Sequence, residues 1–242
     1  MDHFLFEILI ITLLSFFQSI FGIGLLLYGT PIFLILGNDF LYSLNILLPV
    51  SMTISLMQLR TTRKIFKFNF IKLFILITLP VLIFTLFLLI KFYESINIKL
   101  LVSFVIIFFS LSNLIFNKFM TTFFRVKFNQ YFIFFCIGIV HGLTNLGGSL
   151  LAISSSQINF DKNNNRICIA FGYFSMGLLQ LLLIYLLSDT NFDFLKLFYI
   201  IIPILIYNFS QKYFFKLSNI RFSKILNLIT FVFGVYLFLS IT

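Results

Sequence analysis

The 242-residue chain has no tryptophan, two cysteines and only 10% charged residues, although 61% of it is hydrophobic. Chains that fold in water typically carry about 25% charged residues, so the scarcity of charge excludes an ordinary soluble domain. Cys136 and Cys168 both fall inside apolar runs; two lone cysteines make neither a disulfide framework nor a metal-ligand spacing. The seven carboxylates are few, and their placement matters more than their number. Asp2, Glu7, Asp39, Glu94, Asp161, Asp189 and Asp193 all stand at a terminus, in a connection or at a segment edge. A cation site or a carboxylate proton relay inside a bilayer needs an acid near the middle of a span, and none is there. Also missing are the Gly-x-x-x-x-Gly-Lys-Ser/Thr loop that cradles nucleotide phosphates and the His-Glu-x-x-His pattern of zinc hydrolases. No cofactor is expected.

What is present is apolar sequence in long runs. Eight segments can be drawn, at about 4–36, 40–58, 68–90, 98–116, 130–158, 166–187, 194–211 and 222–241. Runs of roughly 20 apolar residues cross a bilayer as helices, which predicts an all-α polytopic membrane protein, a single transmembrane domain over 1–242. No Lys or Arg precedes the first run and no small-residue cleavage site follows it, so the amino terminus reads as a retained span rather than a leader. The net charge of +10 would point to nucleic acid in a soluble protein. Here the basic residues sit in short connections, where they meet anionic headgroups. The bilayer is the expected partner, nucleic acid is not, and homo-oligomerisation stays open.

Segments one and five are too long for one upright helix and too short for two. Both are broken by glycines. A shift of 123 residues lays "FQSIFGIGLLLYGTP" from Phe17 on "VHGLTNLGGSLLAIS" from Val140, pairing Gln18 with His141, Gly22 with Asn145 and Gly24 with Gly147. The pattern predicts two repeated halves, about 1–117 and 128–242. If all eight segments cross, one face collects nine Lys and Arg and the other eight. So even a split gives no orientation.

Glycine in a helix interior costs about 1 kcal/mol relative to alanine, so Gly147-Gly148 marks a place to unwind. Backbone bared in lipid is tolerated only beside protein or a water-filled cavity. His141, Thr144, Asn145 and Ser149 are the polar groups to receive it, with Ser149 as a plausible cap of the helix that follows. In the first half Gly22, Gly24 and Gly29 precede Thr30-Pro31, which reads as a helix cap followed by proline at the first helical position. The plain alternative is close helix packing through small residues. Two broken segments at equivalent places favour a binding site instead. Helix N-termini attract anions, so the expected solute is negative or neutral and polar. The candidate site is Gly22, Gly24, Thr30, His141, Thr144, Asn145, Gly147, Gly148 and Ser149.

His141 is the only ionisable side chain well inside a span. It reads either as a neutral imidazole bonded to a nearby carbonyl or as the carrier of a coupling proton or a contact to the anion. Arg166, at the start of segment six, reads as snorkelling to headgroups. Gln58 and Gln180 read as interhelical ties.

At these glycine-rich stretches the sequence resembles the sulfite exporter TauE/SafE family of bacterial permeases, built from two repeats with a glycine-rich break in the first helix of each. "FGIGLLLYGTPIF" keeps Gly22, Gly24 and Pro31 at matching spacing, with Leu25 and Leu26 in place of further glycines; "GLTNLGGSLLAIS" keeps Gly142, Gly147 and Gly148. The resemblance implies a cytoplasmic-membrane permease for sulfur-containing anions such as sulfite, thiosulfate or organosulfonates. An intramembrane enzyme and a non-transporting partner subunit are the alternatives. The enzyme lacks any group to orient a base beside "SSSQ".

Overall fold

Every regular element among the described residues is helical, as the bilayer demands of a chain whose backbone must satisfy its own hydrogen bonds. The structure, a computed structural model, describes residues 2–61, 68–115, 127–158, 162–188 and 194–213, with positions 235, 238 and 239. Apart from those three positions the expected segment at 222–241 lies outside the described residues, as do most of the basic connections at 60–72, 117–127 and 212–224.

The chain runs through α1 (Asp2–Phe21), α2 (Leu25–Ile35) and α3 (Phe40–Thr61), then α4 (Phe68–Leu73), a π-helical turn (Phe74–Thr78) and α5 (Leu79–Lys91). A short 3-10 turn, Tyr93–Ser95, leads to α6 (Ile98–Ile115). The remainder is α7 (Lys127–Thr144), α8 (Gly148–Ile158), α9 (Lys162–Leu187), a 3-10 stretch (Phe194–Ile200), α10 (Ile201–Ser210) and a last turn, Gln211–Tyr213. Four stretches are long and apolar enough to cross a membrane: Phe4–Phe21, Phe40–Thr61, Asn69–Lys91 and Asn163–Leu187. Phe84, Phe104 and Leu186 are 61%, 66% and 72% exposed; apolar surface on that scale belongs against hydrocarbon. The π-helical turn has a local cause. Pro80 has no N–H to give to the carbonyl of Leu76, and the widened turn lies across that gap.

Side-chain pairs fix the direction of each helix. α1 and α3 run in parallel, because Tyr42 bonds Glu7 near their starts and Gln18 bonds Ser51 and Ser55 further along. α2 runs back between them: Gly24 faces Phe17, and Gly29 faces both Leu14 and Leu47. Gly22–Gly24 is therefore a reversal of the chain, and α1 with α2 makes a helical hairpin. α4 and α5 return to the start of α3, where the Tyr93 hydroxyl donates to Asp39. Burial, then the Asp39 carboxylate beside it, raises the Tyr93 phenol above its ordinary pKa.

The second half runs the other way. α7 is parallel to α5, with Thr78 bonded to the Phe134 carbonyl, Val81 against Gly138 and Thr85 against Gly142. α8 lies antiparallel to α9, since Leu151 faces Gly172 and the Ser155 hydroxyl donates to the Asn165 carbonyl at 3.2 Å. α9 is antiparallel to α3, its most extensive neighbour, with Gly177 against Met52 and Leu48. The chain then runs back, with Tyr199 bonded to Glu7 and Tyr207 bonded to Thr61. So the Glu7 end of the bundle holds the starts of α1 and α3 and the end of α9. The Arg166 end holds the end of α3 and the starts of α4, α7 and α9.

Candidate functional site

The two reversals are built alike. The carbonyl of Gln18, in the last turn of α1, accepts the N–H of Gly22 at 2.8 Å and the side-chain amide of Gln58 at 2.9 Å. The carbonyl of His141, in the last turn of α7, accepts the N–H of Asn145 at 2.9 Å and the side-chain amide of Gln180 at 3.1 Å. Gly22 and Asn145 both hold positive φ, 78° and 63°. That left-handed conformation ends helices, and glycine and asparagine enter it most easily. Each glutamine comes from the long helix that follows the hairpin, so each ties its helix to the point where the chain turns. Both glutamines are interhelical ties.

One face of α9 runs beside both reversals. Arg166, Ile169, Tyr173, Gly177 and Gln180 stand three or four residues apart, which places them on a single stripe. Arg166 donates to the Ser19 carbonyl at 2.8 Å, Ile169 lies against Gly22, and the Tyr173 ring packs edge-on to His141 with centroids 6.3 Å apart. The Tyr173 hydroxyl covers Gly148, the first residue of α8, so closely that any side chain at 148 would collide with it. Gly147 is held as tightly, since a Cβ there would stand 2.6 Å from that of His141 and 2.7 Å from the Ile137 carbonyl.

The polar groups of the two reversals differ. In the first, the Gln18 amide is taken up by the Ser51 carbonyl and by the hydroxyls of Ser51 and Ser55. In the second, the Tyr173 hydroxyl and the Asn145 side-chain oxygen are buried without a hydrogen-bond partner, and the His141 ring and the Gln180 side chain face each other. Such atoms cost about 1–3 kcal/mol each when nothing answers them. Together they offer a phenol O–H, an imidazole with one donor and one acceptor, two amide oxygens and the N-terminus of an 11-residue helix. The phenol O–H, one imidazole N–H and the helix N-terminus can donate to a small oxyanion, whereas the two amide oxygens can only accept, as from a protonated anion or water.

The expected residues are partly brought together. His141, Asn145, Gly147 and Gly148 meet at the second reversal. Thr30 reaches it from the first half, its hydroxyl accepting from the Asn145 amide at 3.0 Å. Gly22 and Gly24 shape the first reversal without facing these orphaned atoms. The Thr144 hydroxyl is used locally, donating to the Val140 carbonyl at 2.6 Å and accepting from Leu146 N–H at 3.3 Å.

Several readings need correction. Thr30 does not cap a helix: α2 begins at Leu25, and Pro31 lies inside it. Gly24, at φ 135°, lets the chain turn before the helix starts, so the proline costs a backbone bond in mid-helix. Ser149 does not cap α8 either, because the helix starts one residue earlier and the hydroxyl donates back to Leu146 at 3.1 Å. Arg166 does not snorkel; it is 5% exposed, spans to the end of α1 and lies over the Tyr207 ring. Gly142 serves packing, meeting Thr85 and the Leu82 carbonyl of α5. Tyr173 was missed, since a tyrosine in an apolar helix carries no signal without knowledge of what it faces.

No protein-family model, curated protein or solved structure matches the chain.

Proposed function

We propose that the chain is a secondary permease for a small anion, which binds at the second reversal beside His141 and Tyr173. The two halves are an inverted repeat, each a hairpin followed by long helices, and α9 is the surface along which both hairpins lie. The observation that carries this reading is the cluster at the second reversal, where the Tyr173 hydroxyl and the Asn145 side-chain oxygen are buried without a hydrogen-bond partner beside the His141 ring. A helix N-terminus beside them favours negative charge. A transporter's midplane site formed by interrupted helices in two repeats has this character. The glycine pattern, which resembles that of sulfite exporters, narrows the solute to a sulfur-containing anion such as sulfite, thiosulfate or an organosulfonate, carried across the cytoplasmic membrane.

Polar clasps join the halves at opposite ends. At one end Tyr42 and Tyr199 donate to Glu7, and Lys196 sits 3.7 Å over the Tyr42 ring. At the other, Arg166 reaches Ser19 while Tyr207 bonds Thr61. Alternating access requires these to open in turn.

The test is flux into proteoliposomes containing only this chain, with radiolabelled sulfite and thiosulfate. Saturable uptake that drops at least about tenfold in Tyr173→Phe, the loss of about 1.4 kcal/mol from one hydrogen bond to a charged group, is the expected result. Uptake no greater than in empty liposomes for both anions would overturn the assignment.

A further inference from the structure

We infer that the Arg166 end of the bundle faces the cytoplasm, lying against the anionic headgroups of the inner leaflet, and that the amino terminus lies outside. The inference rests on the helix directions and is independent of what is transported. With eight simple crossings the basic residues divide nine to eight and orient nothing. The hairpins change that division, because each returns the chain to the end from which it started.

α1 with α2 brings the chain back to the Glu7 end, as the bond from Tyr42 to Glu7 shows. α7 with α8 brings it back to the Arg166 end, where α9 begins beside Ser19. The connections then sort without ambiguity. Those at 60–72, 118–127 and 162–166 are flanked on both sides by helix ends at the Arg166 end and carry five, three and two Lys or Arg, and Lys212 stands in the last described turn at the same end. Among the described residues, Lys91, Lys99 and Lys196 belong to the other end. Eleven Lys and Arg therefore belong to the Arg166 face, against three at the other end. The described acids, Asp2, Glu7, Asp39 and Glu94, stand at the opposite end.

The six-residue connection between Thr61 and Phe68 spans at most about 22 Å extended, too short to recross a hydrocarbon core of roughly 30 Å. Short basic connections stay on the cytoplasmic side and carry the orientation of the whole chain. Anionic lipid in that leaflet gives them a partner.

The experiment uses the full chain in a Cys136→Ala, Cys168→Ala background, with single cysteines at Ser95→Cys, Thr121→Cys and Ser218→Cys. A membrane-impermeant maleimide is applied to intact cells and again after permeabilisation, the second label confirming that each variant is present. Ser95→Cys should label in intact cells, and Thr121→Cys and Ser218→Cys only after permeabilisation. The reverse pattern would overturn the orientation. Labelling of Thr121→Cys and Ser218→Cys from opposite sides would overturn the hairpins themselves.

Discussion

Asn145 shows how much one residue can say once its backbone is known. Its φ of 63° is a conformation that costs a residue with an ordinary side chain about 1–3 kcal/mol. Asn145→Ala should therefore be less stable than Asn145→Gly by about 1 kcal/mol, as thermal unfolding in detergent would show; both lose the bond to Thr30, so their difference isolates the backbone. The correspondence of Gly22 with Asn145 was legible in the sequence because these residue types share that conformation. The pairing of Gln18 with His141 was legible too, but its meaning was not, since what recurs there is a carbonyl and not a side chain. His141 and Tyr173 invite a sharper prediction. The Tyr173 hydroxyl has no hydrogen-bond partner and the His141 ring meets only the Gln180 side chain, so His141→Phe and Tyr173→Phe should leave Tm little changed or raised while anion affinity falls. A lower Tm in both variants would mean that the groups hold the fold instead.

At the scale of elements, glycine has two jobs that hydropathy cannot separate. Gly138 and Gly142 let α7 lie directly on α5, where a Cβ on Gly138 would stand 2.7 Å from the Thr78 carbonyl. Replacing Gly138 with alanine should cost about 1–3 kcal/mol through overpacking, measured as a shift in unfolding temperature. Gly147 and Gly148 instead allow the turn and the approach of Tyr173. The glutamine ties make a paired prediction. Gln58→Leu and Gln180→Leu each free a carbonyl from its side-chain partner, and each should destabilise by about 1 kcal/mol. Gln180→Leu should also weaken anion binding, because its tie to the His141 carbonyl fixes the second reversal; Gln58→Leu should not. Thermal unfolding and binding measured on the same two variants separate these outcomes.

For the whole molecule, composition and run length were enough to show a helical membrane protein, since the bilayer selects for both. Direction was not legible. A 20-residue helix that turns back into an 11-residue one has the same hydropathy profile as a single long broken span. Only contacts such as Gly29 with Leu14 and Leu47 distinguish them. The same ambiguity hid the charge asymmetry, because a nine-to-eight division changes once each broken segment turns back instead of crossing. The convergence of His141, Asn145, Tyr173 and Gln180 needed the α9 stripe, which the sequence holds but does not point to.

The most direct measurement is the thermal stabilisation of the purified chain by sulfite, compared with that of the His141→Phe, Tyr173→Phe double variant. A ligand that binds only the folded state adds about 2.7 kcal/mol at a hundredfold excess over Kd, so the wild type should melt several degrees higher with sulfite. The double variant should fold, melt no lower without ligand and show no such shift. An equal sulfite-dependent shift in both proteins would place the anion elsewhere and contradict the account.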